Sequence, residues 1–283
     1  MVLADDQTLH SIDSVKPYPV DHSYQNLLNQ TDDQDPSTWN IVKATQFGAL
    51  RRVVTLVETG DPELSLGPYD VNQLDKEDVS LLHWAAINNR LSIMLFFLGK
   101  GAQIDRRGGN LAATPLHWAI RQSHVHAVAL LLKHGADPNI RDNTGLSCIH
   151  AAIQTSCTPV IAYLLARGVD IDCRDEQGVT PLMLACMHCK GTDPLRLLLA
   201  WGADVTLSDS RGNSVAHYAV KFINPTAIVQ LDRAGVDWTS INKIGQTAYE
   251  VRQVPWLNDK IRQMAYKRGQ SKHPRSNLTF SIA

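Results

Sequence analysis

The segment Ser80-Leu-Leu-His-Trp-Ala-Ala returns as Thr114-Pro-Leu-His-Trp-Ala-Ile, Ser147-Cys-Ile-His-Ala-Ala-Ile, Thr180-Pro-Leu-Met-Leu-Ala-Cys and Ser214-Val-Ala-His-Tyr-Ala-Val. Its fourth position falls at His83, His117, His150, Met183 and His217, in steps of 34, 33, 33 and 34 residues. A second marker, at Gly101, Gly135, Gly168, Gly202 and Gly235, advances by 34, 33, 34 and 33. Two motifs locked in one register define stacked supersecondary units, each unable to bury its apolar face alone. The length of 283 residues, which would otherwise suggest one or two globular domains, is therefore read as a single repeat array with flanks.

One unit shows the local chemistry. Thr114 is suited to cap a helix, its hydroxyl accepting from orphan backbone N–H groups, and Pro115 fits the first helical position, where no N–H is needed. A second helix is expected from near Val125 to His134: Val128, Leu131 and Leu132 recur at helical spacing, and Gly135 can take the left-handed cap conformation. The following Ala136-Asp-Pro-Asn-Ile-Arg-Asp-Asn-Thr-Gly145 is turn-rich, and its Asp/Asn-x-x-Gly ending recurs from Asp142, Asp175, Asp209 and Asn242. That makes a hairpin-like finger between helix pairs.

Residues and spacing together resemble the ankyrin repeat, a turn plus two helices with a Thr-Pro-Leu-His-x-Ala core. The resemblance covers residues 38–268 and implies an all-α solenoid of about seven helix-turn-helix units with hairpin-like fingers. A front copy is placed at Ile41-Val-Lys-Ala-Thr-Gln-Phe-Gly, because Ala44 to Gly60 matches Ala85 to Gly101 in length. It lacks the Thr-Pro-Leu-His start and reads as an N-terminal cap. At the other end Gln246-Thr-Ala-Tyr-Glu-Val-Arg opens a seventh unit, whose helix Pro255 is expected to interrupt and whose Lys260, Arg262, Lys267 and Arg268 give the polar outer face of a terminal repeat.

Residues 1–37 hold seven Asp, no Glu and one Lys, a net charge of −6, and are read as a disordered acidic arm. From Lys267 onward there are four Lys/Arg and no acid, so 269–283 is read as a basic flexible tail. The array between them is close to neutral, which argues against the broad basic stripe that nucleic-acid binding requires. No secretory signal is visible, since Asp5 and Asp6 interrupt the N-terminus. The longest strongly apolar run, Leu91 to Leu98, is far short of the roughly 20 residues that span a bilayer. Five scattered cysteines, Cys148, Cys157, Cys173, Cys186 and Cys189, favour a reducing, cytoplasmic setting.

Four histidines at one repeat position invite a metal or catalytic reading. The repeat uses that side chain to tie neighbouring backbone and hydroxyl groups, and Met183 shows that a unit can dispense with it. Cys186-Met-His188-Cys189 clusters ligand-type residues but lacks the second pair that a structural zinc site needs. With no Gly-rich phosphate loop, Gly-x-Ser-x-Gly elbow or His-Glu-x-x-His, neither catalytic residues, a metal nor a cofactor is expected.

What remains is the column immediately after the repeat histidine: Trp84, Trp118, Ala151, Leu184 and Tyr218. Tryptophans in adjacent repeats are expected about 10 Å apart, one helix spacing, with a slot between them. Ile87 and Asn88 share the face of Trp84, and Arg121 and Gln122 that of Trp118. These six residues form the candidate peptide-binding site: indole stacks on a proline ring, and an amide matches a glutamine side chain or a peptide bond.

The resemblance narrows at these residues. Leu81-Leu-His-Trp-Ala-Ala-Ile-Asn-Asn-Arg90, Gly108-Gly109, Thr114-Pro-Leu-His-Trp-Ala-Ile-Arg-Gln122, Ser147-Cys-Ile-His-Ala-Ala and Asp193-Pro-Leu-Arg-Leu-Leu-Leu199 are similar to the N-terminal ankyrin region of the huntingtin-interacting palmitoyltransferases, the ankyrin-bearing members of the Asp-His-His-Cys acyltransferase family. That resemblance implies capture of disordered segments ending in Gln-Pro, gripped by an Asn and a Trp that match Asn88 and Trp118. It also implies a place at the cytosolic face of Golgi or vesicle membranes for a longer acyltransferase. The chain itself carries neither an Asp-His-His-Cys motif nor a membrane-spanning run, so it reads as the substrate-recruiting arm, with a full-length S-acyltransferase and a generic ankyrin scaffold as alternatives.

Overall fold

The computed structural model describes residues 38–61, 65–188, 193–252 and 255–267. The expected acidic arm, the expected basic tail and Cys189 lie outside the described residues. The chain divides into two compact units, Met1–Val169 and Asp170–Ala283. Among the described residues the first contains four helix pairs: α1 (Ile41–Phe47) with α2 (Leu50–Glu58), α3 (Leu81–Ile87) with α4 (Leu91–Gly99), α5 (Pro115–Arg121) with α6 (Val125–Lys133), and α7 (Cys148–Gln154) with α8 (Thr158–Ala166). The second contains α9 (Pro181–His188) with α10 (Asp193–Ala200), α11 (Val215–Lys221) with α12 (Pro225–Arg233), and a terminal α13 (Pro255–Lys267). Among the described residues strand-like pairing is confined to isolated bridges, such as Gly108 with Ala113 and Ser208 with Ser214.

Three of the first helices, α3, α5 and α11, start on a reciprocal cap. At α5 the Thr114 hydroxyl accepts from the His117 N–H, and the His117 ring accepts from the Thr114 N–H, so histidine fills the place that Glu holds in an ordinary capping box. The opposite ring nitrogen reaches the next finger: His83 Nε2 lies 2.9 Å from the Ala113 carbonyl, and His117 Nε2 3.3 Å from that of Leu146. In the second unit His217 Nε2 lies 3.0 Å from the Gln246 carbonyl. A carbonyl only accepts, so Nε2 must carry the proton and Nδ1 must be the acceptor. These rings couple a helix start to its neighbour, which accounts for their recurrence.

Packing follows from small residues. Ala85, Ala119 and Ala152 in the first unit, and Ala185 and Ala219 in the second, are fully buried on the first helices. Without side-chain bulk there, adjacent first helices approach closely, and Leu82, Leu116, Ile120 and Ile149 fill the space between the layers. Burying each of those four contributes about 1.5–3 kcal/mol. Cys186 belongs to the same layer, buried on α9.

The turn joining the helices of a pair requires a left-handed residue, at Asn89 (φ 54°), Ser123 (57°), Ser156 (54°) and Ile223 (46°). Asn tolerates that conformation, whereas a β-branched side chain is strained in it. Ile223→Asn is accordingly expected to stabilise the chain by about 1 kcal/mol, raising the melting temperature by a few degrees in a calorimetric scan.

The last unit departs from expectation. Pro255 does not interrupt a helix; it begins α13, where its missing N–H is of no consequence and its fixed φ suits the first turn. Thr247 caps a short turn instead, its hydroxyl and N–H both donating to Glu250 at 2.7 and 2.8 Å.

Candidate functional site

The two tryptophans do not stand apart. Their ring centroids are 5.7 Å from each other at 85°, an edge-to-face contact, so the spacing-derived slot between them is closed. The cause lies one finger earlier. Trp84 Nε1 donates to Asp75 Oδ2 at 2.9 Å, which tips the indole and leaves its ring against Trp118. Burial pushes the Asp75 carboxyl up, but N–H groups of Val79, Trp84 and Glu77, together with His83, outweigh it and hold the group below its ordinary value.

Asp75 stands eight residues before its repeat histidine. The equivalent positions are Asp142, Asp175 and Asp209, and in the Trp118 repeat the position is Gly109. Trp118 therefore has no carboxylate to bind, and its indole N–H makes no hydrogen bond within the described protein. Gly109 adopts φ 68°, and a Cβ placed there would lie 3.1 Å from Trp118 Cζ2. At Gly108 a Cβ would lie 2.5 Å from the Asp78 carbonyl and 3.0 Å from His83 Cε1. The glycine pair lets the finger backbone lie directly on the histidine and the indole. Trp118 is thus wedged between Gly109, Trp84 and the edge of His83, whose centroid is 5.1 Å away.

A cleft of about 330 Å³ opens on the other side of Trp118. Ile87 from the end of α3, Trp118, Arg121 and Gln122 from α5, and the finger backbone from Gly108 to Leu111 line it, with Glu77 and Val79 at the neighbouring finger. It brings together four of the six candidate residues. Trp84 and Asn88 do not line it: Trp84 backs Trp118, and Asn88 follows Ile87 as the helix cap. The Asn88 amide donates to the Trp84 carbonyl at 2.9 Å, leaving its oxygen without a partner among the described residues. Ile87 is held by His124, whose Nε2 donates to the Ile87 carbonyl at 3.0 Å.

Arg121 reaches past the cleft to Asp142, with Nη2 2.7 Å from Oδ2. The residue that would take that oxygen in the Trp84 manner is Ala151, so the previous repeat supplies the donor instead. Burial raises the Asp142 carboxyl, but Thr144, Leu146 and Arg121 prevail and lower it. Arg121 Nε is buried without a partner. The cleft thus combines the apolar surface of Ile87, Val79 and Trp118 with the amide of Gln122 and the guanidinium of Arg121. The signal missed in the sequence is Gly109, which replaces the Asp or Asn of the equivalent finger position in the other repeats and leaves the indole without that partner.

This geometry and the repeat register define an ankyrin-repeat domain. A family model described as ankyrin repeats, three copies, matches residues 41–142 and 135–209, and the chain belongs to that family. The ankyrin repeat domain of Bcl-3 superposes with a TM-score of 0.68 at 25% identity, covering 82% of this chain and 100% of that one. Among characterised proteins the chain is similar to palmitoyltransferases. Palmitoyltransferase ZDHHC17 of Homo sapiens is 48% identical over 263 residues, 91% of this chain and 40% of the relative. Palmitoyltransferase Hip14 of Drosophila melanogaster is 59% identical over 198 residues, 70% of this chain and 30% of that one. The chain therefore spans well under half the length of the relatives it matches. No helix among the described residues is long and apolar enough to cross a membrane.

Proposed function

We propose that this protein-interaction module captures extended Gln-Pro-containing segments of partner proteins. The observation that carries the reading is Trp118, whose indole presents an apolar face to the cleft and an N–H with no partner. A proline ring stacks on that face against Ile87 and the finger backbone, and the glutamine amide meets Asn88 and Gln122. Trp84 supports Trp118 from behind, and Arg121 fixes the far rim through Asp142. Disordered partners lose entropy on binding, so affinity is modest and exchange fast.

The similarity to palmitoyltransferases supports a wider setting, in which the module recruits substrates for protein S-acylation at the cytosolic face of Golgi or vesicle membranes. A full-length product would then be a membrane S-acyltransferase, of which these residues form the recruiting part. The test is calorimetric titration of a Gln-Pro peptide, and of its Gln-Ala counterpart, into wild type and Asn88→Ala. Micromolar binding of the first peptide, about fivefold weaker in the variant, is expected. Equal binding of both peptides removes the assignment.

A further inference from the structure

The last two repeats of the second unit reuse the cleft's register with different side chains. Tyr218 occupies the position of Trp84, Phe222 that of Asn88, Arg211 that of Glu77, Lys221 that of Ile87, and Ile244 that of Leu111. The Tyr218 and Phe222 rings stack, with centroids 6.2 Å apart at 24°. Phe222 is 39% exposed and Ile244 77%. Tyr218 commits its hydroxyl to Asp209 at 2.9 Å, so this face offers aromatic surface and no amide.

Four basic residues lie on it or on the adjoining segments. Lys221 Nζ lies 5.5 Å from the Phe222 ring centroid, Arg252 donates to the Lys221 carbonyl at 2.8 Å, and the Lys243 N–H donates to the Arg211 carbonyl at 3.0 Å. All four side chains are exposed, and none forms an ion pair with a described residue. Of the acids nearby, Asp209 is tied to Tyr218 and Asn213, and Asp175 accepts the N–H groups of its own finger. Where the first cleft has an acid and an aliphatic side chain, this face has an arginine and a lysine. Exposed apolar side chains, here Phe222 and Ile244, bordered by charge of one sign that has no ion-pair partner mark a contact surface for a partner of opposite sign.

We propose that this face binds an acidic peptide segment, an apolar side chain lying on Phe222 and Asp or Glu carboxylates meeting Arg211, Lys221 and Lys243. A peptide is favoured over nucleic acid because the cations are few and lie beside Asp175 and Asp209, whose charges act on Tyr218, rather than in a continuous stripe.

The probe is a fluorescein-labelled peptide alternating Glu-Glu with Leu, followed by anisotropy on the full chain. Binding is expected to weaken about tenfold or more in Lys221→Glu/Lys243→Glu and about fivefold in Phe222→Ala, with unchanged thermal melts. It is expected to fall with added salt and to survive Trp118→Ala, which separates this surface from the Gln-Pro cleft. No binding to wild type, or equal binding in the charge-reversed chain, overturns the proposal. So does tighter binding of an oligouridine RNA. Binding that emerges only when Asp32, Asp33 and Asp35 are changed to Asn assigns the face to the chain's own acidic arm and overturns it equally.

Discussion

A Trp118→Ala chain is expected to lose at least about thirtyfold in affinity for a Gln-Pro peptide, roughly 2 kcal/mol, while remaining folded. The indole is the largest side chain in the cleft, and its removal deletes the face, the open N–H and the wall beside Gly109 together. Trp118→Phe keeps a ring and loses the donor, so an intermediate loss is expected. Trp84→Phe removes only the hydrogen bond to Asp75 and should cost severalfold at most, because that residue acts through its neighbour. Isothermal titration orders the three; an equal loss for Trp84→Phe and Trp118→Ala would place the ligand on the outer side of the pair. Gly109→Asp supplies the missing member of the acidic column and should lower affinity as well, both by engaging the indole N–H and by straining a backbone at φ 68°.

The repeat register made the fold legible, since periodic caps, alanines and glycines constrain local backbone and packing at once. Helix starts such as Thr114-Pro115 and stops such as Gly135 stand where propensity puts them. Helical spacing also placed Ile87 with Asn88, and Arg121 with Gln122, at the ends of the helices that carry the indoles. It could not give the distance between the two indoles, because that depends on where a side chain on another segment, Asp75, pulls Trp84. Nor did it reveal the side of Trp118 on which space opens. That information was present in the sequence, but as an exception: Gly109 is informative only when aligned with Asp75, Asp142, Asp175 and Asp209, a comparison that asks what each repeat lacks. Pro255 misled for a similar reason. A proline ends one helix and begins another with equal ease, and only the chain before it decides which.

Acidification is expected to unfold the chain in a window set by its repeat histidines. Burial pulls His83 down to about 4, against the Ala113 carbonyl and Asp75, which favour the charged ring, and burial lowers His117 as well. In the unfolded chain both titrate near 6.5, so below that value the unfolded state binds more protons and stability must fall with pH. The contribution is complete above about pH 6.5 and is lost progressively down to about pH 4, amounting to roughly 3 kcal/mol from His83 alone. The lowered carboxylates Asp75, Asp142 and Asp209 lose their contribution only below their ordinary range, and the raised Asp105 and Asp172 act in the opposite direction. Urea unfolding midpoints from about pH 7.5 to about pH 4.5 measure the slope. His83→Met, which copies the residue of the Met183 unit, should be less stable at neutral pH yet show a shallower slope; an unaltered slope would contradict the linkage. The consequence reaches function, because His83 holds the Ala113 finger and packs its edge on Trp118, so peptide affinity should weaken in the same window before the chain unfolds globally.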